Sequence, residues 1–145
     1  MRFEPWLLTG AALSFAASAL HLACIVGGPA WYRFFGAGEG LARLAEAGNP
    51  TPALVTLAIA LILALWGAYA LSGAGVIAHL PLLRTGLVAI TAVYLLRGIV
   101  LFFPALLARP DLSPAFLRWS SLIVLAIGII HAVGLVRSWP VLGRA

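Results

Sequence analysis

The chain has 145 residues, 63% of them hydrophobic and 9% charged, against about 45–50% and 25% in soluble domains, and its mean hydropathy is +1.11. That composition excludes an ordinary soluble fold and implies an integral membrane protein. Nine arginines and no lysine stand against four acids, for a formal charge of +5; scattered through short connections without a basic run, they read as membrane anchors and exclude nucleic acid as a partner.

A helix needs about 20 apolar residues to cross roughly 30 Å of hydrocarbon, and four runs meet that length. The first, 6–26, places Gly10, Ser14, Ser18 and His21 at helical spacing. Its start also fits a signal peptide, with 7–16 as the apolar region and Ala17 and Ala19 as small cleavage residues. Against that, "MRFEP" offsets its arginine with a glutamate and the run continues to Val26. "GGP" at 27–29 opens the longest loop, 27–51, in which "GEGLARLAEAG" is predicted to form a short amphipathic helix. Leu41, Leu44 and Ala45 share one side of it, which would lie on the membrane surface.

"GNPTP" at 48–52 leads into the second run, 52–71, with the stripe Ala53, Thr56, Ala60, Ala64 and Gly67. After "SGAG" comes the third, 81–103, with a continuation to 108 past Pro104; it contains Tyr94 and Arg97. "RPDLSP" at 109–114 precedes the fourth, 116–136, with Ser121, Gly128, His131 and Gly134 on one face. Small residues at such spacing let helix backbones approach closely in lipid. The fold expected is therefore all-α: an antiparallel bundle of four transmembrane helices forming a single membrane domain over 1–145, with a short amphipathic helix in the first loop. Trp6, Trp31, Tyr32, Trp119 and Trp139 lie near the run ends, where amphipathic rings favour the headgroup zone. Arginines divide four against four between the two faces, so the positive-inside rule sets no direction; the acids Glu39, Glu46 and Asp111 on the loop-one face favour termini inside.

Arg97 raises the functional question. A cation at the centre of a span costs about 2.5–3.5 kcal/mol on insertion scales. Antiparallel threading places it in the half that holds His21, with Tyr94 one turn deeper and Glu39 and Glu46 in the covering loop. His21, Tyr94, Arg97 and Glu39 are thus expected to line a ligand-binding pocket for an amphiphile with an anionic or carbonyl head, such as a lipid or quinone. Arg97 would supply a planar cation, and His21 and Tyr94 donors or acceptors. Side chains on a helix lean towards its N-terminus, which directs Arg97 towards the membrane centre; in the structural alternative it snorkels to the headgroups or pairs with Glu39 or Glu46. His131, near Tyr69 or Trp66 in the other leaflet, reads as structural, His79 as a loop residue and Cys24 as a small hydrophobe.

The two buried histidines differ in depth by on the order of 15 Å, too far to ligate one haem within a subunit. Two subunits of an oligomer could still share haems, and a redox or isomerase enzyme with His21 and Tyr94 as its proton-transfer pair is a further alternative, so the cofactor is left open; no metal-ligand spacing is present, and a lone cysteine excludes an internal disulfide. Four spans without repeats make a poor transport pathway. The partners implied are membrane lipids, with a membrane-protein partner or a second copy docking on the small-residue faces in the alternative that the chain is an accessory subunit.

The order of a first span with internal His21, the loop "GGPAWYRFFGAGEG", a second span closing on "ALSGAG", "LLRG" in the third and "LSPAFLRWSS" opening the fourth resembles small bacterial four-helix membrane families of unassigned function, the DoxX-like group. The resemblance covers most of the chain. It implies a multi-pass protein of the bacterial inner (cytoplasmic) membrane and lends no catalytic residue.

Overall fold

Glu4 starts the first helix by accepting the Trp6 amide at 3.4 Å, and Pro5 occupies the first turn, where a missing N–H is not needed. The structure, a computed structural model that describes residues 3–103 and 114–143, runs α1 from Pro5 to Phe34, eight residues beyond the predicted end. The breaker "GGP" bends the helix and does not stop it. Gly28 takes φ 66° and ψ −149°, a conformation open to glycine at little cost, and Pro29 then begins a second limb with its φ already helical.

The remaining helices are α2, Glu39–Glu46; α3, Thr51–Gly73; α4, Leu83–Ile99, followed by a 3-10 turn over Val100–Phe102; and α5, Pro114–Ser138. There is no strand among the described residues. Four helical segments are long and apolar enough to cross a membrane, and the protein is a multi-pass helical membrane protein. The expected continuation of the third run to 108 lies outside the described residues.

The small-residue stripes form the packing faces. α1 lies along α3, α4 along α5, and α1 also meets α5. Gly10, Ser14, Ser18, Thr56, Ala60, Gly67, Ser121, Gly128, His131 and Gly134 are all buried. Contact there is close enough that a methyl group at Gly98 would stand 2.5 Å from the Leu125 Cα, and one at Gly134 would stand 2.8 Å from the Leu7 amide. Ser18 Oγ donates to the Ala60 carbonyl across α1 and α3 at 2.7 Å. Gly98 faces Leu125 and Gly128 faces the backbone of Tyr94 and Leu95, so the antiparallel register sets Thr91 level with His131 and Arg84 level with Ser138.

The apolar core divides by depth. Leu7, Ala74, Leu83, Leu87, Leu135 and Leu142 close the end that carries the termini; Leu63, Ile90, Tyr94 and Ile127 fill the middle; Cys24, Tyr32 and Ala42 close the loop-one end. The last cluster changes the expected role of α2. Its packed face is Ala42, fully buried, with Ala45, whereas Leu44 is exposed. The helix thus docks on the Cys24–Tyr32 surface at the bundle end through alanine.

Candidate functional site

The middle of the bundle holds an enclosed polar and aromatic cluster. Ser14 Oγ and Tyr94 Oη are hydrogen-bonded at 2.9 Å; the Tyr94 ring meets Trp66 edge-on at 5.0 Å and His131, tilted by 38°, also at 5.0 Å. His131 is fully buried, with its ring over Gly10, where a methyl group would stand 2.7 Å from Cε1. Its Nδ1–H donates to the Ile127 carbonyl at 3.0 Å. A carbonyl can only accept, so in the neutral ring the Nε2 lone pair faces inward, and it has no donor; Thr91 Oγ1, at the same level, is also unpartnered. Ser14, Thr91, Tyr94 and His131 are all buried.

That arrangement corrects the expected grouping of His21, Tyr94, Arg97 and Glu39. Tyr94 belongs with Ser14, Trp66 and His131. Its side chain leans towards the N-terminus of α4, which is the end carrying the termini, and so away from His21. His21 is half-buried, and its Nδ1–H donates to the Ala17 carbonyl at 2.7 Å within its own helix; it lies seven residues from Ser14, about 10 Å of helical rise. Trp66 and His131 each meet the Tyr94 ring. From His21 to Gly10, which carries the His131 ring, is eleven residues or about 16 Å, matching the depth separation inferred for the two histidines.

Arg97 reverses its expected direction. It is exposed, and Nη1 donates to Ser121 Oγ at 2.8 Å. Because Gly98 is opposite Leu125, Ser121 lies one turn nearer the loop-one interface. The guanidinium therefore reaches outward, using the length and flexibility of its stem against the intrinsic lean of the Cα–Cβ bond. Glu39 is bound elsewhere: it takes Arg33 Nε at 2.8 Å, Arg33 Nη2 at 3.1 Å and Arg43 Nε at 2.9 Å, while Arg33 Nη1 reaches Glu46 at 2.7 Å. Arg33 and then Arg43 hold the Glu39 carboxyl down to about 2, and Arg33 also lowers that of Glu46. This exposed network fastens α2 to the end of α1. The four predicted residues thus have four separate sets of partners, and among the described residues no group of three or more His, Cys, Asp or Glu side chains could hold a metal ion.

An open pocket of about 470 Å³ lies at the opposite end, lined by His79 to Thr85 together with Leu142 and Gly143. Three segments build it: the connection before α4, the first turn of α4 and the turn after α5. Arg84 is its cation. The guanidinium stacks on the Trp139 ring, with Cζ 3.6 Å from the centroid, and its buried Nε has no acceptor. Leu82, at φ 53°, is the one described non-glycine residue with positive φ, and it precedes α4 without any side-chain cap. A left-handed leucine costs of order 1–2 kcal/mol, met here by burying the adjacent Leu83 in the apolar cluster. A visible signal existed in "LPLLR", which begins a helix with none of the usual Ser, Thr, Asp or Asn caps. The meeting of Arg84 with Trp139, 55 residues apart in the chain, left no local trace.

No protein-family model, curated protein or solved structure matches the chain. Geometry and chemistry carry the functional argument alone. A second cleft, about 390 Å³, lies beside the short limb of α1 and is lined by Ala30, Trp31, Phe34 and Phe35; it offers apolar and aromatic surface and no charged side chain.

Proposed function

We propose that the protein is a small multi-pass protein of a bacterial inner membrane that binds an amphiphile, a lipid or a quinone, with the polar head held at the end of the bundle carrying the termini. The observation that carries this reading is the pocket around Arg84, where a cation, an imidazole and a hydroxyl share one concavity with leucine walls. Such a mixture suits a ligand with one polar end and one apolar end. The intramembrane pocket expected from His21, Tyr94, Arg97 and Glu39 in the other half gives way to it, because Tyr94 is buried and Arg97 and Glu39 have protein partners.

The test is purification in native lipid followed by mass spectrometry of retained small molecules, comparing wild type with Arg84→Leu and Arg97→Leu. The reading expects an amphiphile that is depleted in Arg84→Leu and kept in Arg97→Leu. Equal, empty profiles in all three would reject it, and depletion confined to Arg97→Leu would return the site to the other half of the bundle. A second reading, an accessory subunit of a larger membrane complex, draws support from the apolar cleft beside the exposed Trp31 and Phe34. It expects a membrane partner in gentle pull-downs that is lost with Phe34→Ser.

A further inference from the structure

We infer that the pocket around Arg84 is a phosphate site, filled by the head of an anionic phospholipid or by free phosphate. The inference rests on the reading that this pocket binds ligand, and adds the chemistry of the head. Stacking on Trp139 occupies one face of the Arg84 guanidinium and fixes its plane, so what remains to offer is its edge, a fork of N–H donors matched to two oxygens of one oxyanion. Its Nε–H is buried and has no acceptor in the protein, and Arg84 itself lines the pocket.

The surroundings point the same way. Leu83, Arg84 and Thr85 line the pocket and form the first turn of α4, which has no side-chain cap; first-turn amides lack acceptors within their helix and favour negative charge. Thr85 adds a hydroxyl and His79 an imidazole. No carboxylate lines the pocket, and Glu4, the acid on this face, is engaged by Arg137 at 3.3 Å and by the Trp6 amide. Donors arriving from the helix turn, the Thr85 hydroxyl and the guanidinium edge suit a tetrahedral group with several acceptor oxygens. A neutral quinone carbonyl would use one of them and leave the guanidinium uncompensated. Leu80, Leu82 and Leu142 supply an apolar wall on which an acyl chain could run.

The experiment uses the full chain in maltoside micelles, which contain no phosphate. Native mass spectrometry measures retention of dioctanoyl-phosphatidylglycerol and of dioctanoylglycerol, its phosphate-free counterpart, with and without inorganic phosphate. The expected result is one saturable phosphatidylglycerol site, no comparable dioctanoylglycerol binding, and about a tenfold loss in Arg84→Gln, the fold-change equivalent to one charge-assisted hydrogen bond. Displacement by inorganic phosphate alone would support the site and assign free phosphate as a sufficient ligand; no displacement would support it and assign the lipid head. Equal retention of the two lipids, or unchanged retention in Arg84→Gln, would overturn it. Should Arg84→Gln lose its helical fold, Trp139→Leu, which unseats the guanidinium, carries the same comparison. A neutral amphiphile retained from native lipid and lost in Arg84→Leu would leave the binding reading standing while overturning the phosphate assignment.

Discussion

At the end carrying the termini, Leu7, Leu83 and Leu87 are almost completely buried beneath Ala74 and Leu142; at the other, Arg33 ties two exposed carboxylates to the limb beyond a kinked helix. The first end is closed by apolar packing, the second by ion pairs in reach of water, where screening weakens them. The histidines repeat the contrast. His21 and His131 each donate Nδ1–H to a carbonyl four residues earlier, yet one ring is half-buried and the other is fully enclosed against Gly10 and Tyr94. An identical local bond therefore says little about a histidine's role; the neighbours supplied by other helices decide it.

The contrast breaks most sharply at the histidines. His131→Ala leaves a cavity and an unpaired Tyr94 face, and should destabilise the protein by about 2–4 kcal/mol, whereas His21→Ala should cost no more than about 1 kcal/mol; reversible unfolding in mixed micelles compares the two, and equal losses would erase the distinction. Next is Gly98→Ala. Its new methyl meets the Leu125 Cα at 2.5 Å, so α4 and α5 must separate, at a cost of about 1–3 kcal/mol, measured in the same way.

Tyr94→Phe removes only the bond to Ser14, and membrane-buried hydrogen bonds of this kind are worth about 0.6–1.7 kcal/mol. A loss well above that range would mean that the hydroxyl organises more of the cluster than its one bond. The gentlest probe is acid. The Glu39 carboxyl is held at about 2, below its ordinary 4.5, so its contribution is complete above 4.5 and is lost as pH falls towards 2. Hydrogen exchange in α2 should accelerate over that window while exchange in α5 near His131 stays slow; α2 exchange independent of pH would show that Ala42 packing alone holds the helix.

The four crossings could be read from the chain because lipid imposes a length and a polarity on any span. The inward faces could be read as well: Gly10, Ser14 and Ser18 on α1, Thr56 and Ala60 on α3, and Ser121, Gly128 and Gly134 on α5 are buried as their spacing predicts. Depth could be counted at a fixed rise per residue, which is why the separation of the two histidines agrees with the structure. The bend at Gly28 was harder to see, since "GGP" can end a helix or restart one, and only the docking of Tyr32 against Cys24 and Ala42 shows which.

Direction around and along each helix was the part that counting could not supply. Tyr94 and Arg97 are three residues apart on α4, yet Tyr94 turns to Ser14 and His131 while Arg97 turns to Ser121 near the opposite interface. The rule that side chains lean towards the helix N-terminus holds for the rigid ring and fails for the long flexible stem. Arg84 likewise looked like one anchor among nine until Trp139 came beneath it. Period and hydropathy are properties of one segment in contact with lipid, so they are written in local sequence. The partner of a polar side chain is a property of several segments at once, and it exists only after the helices have packed.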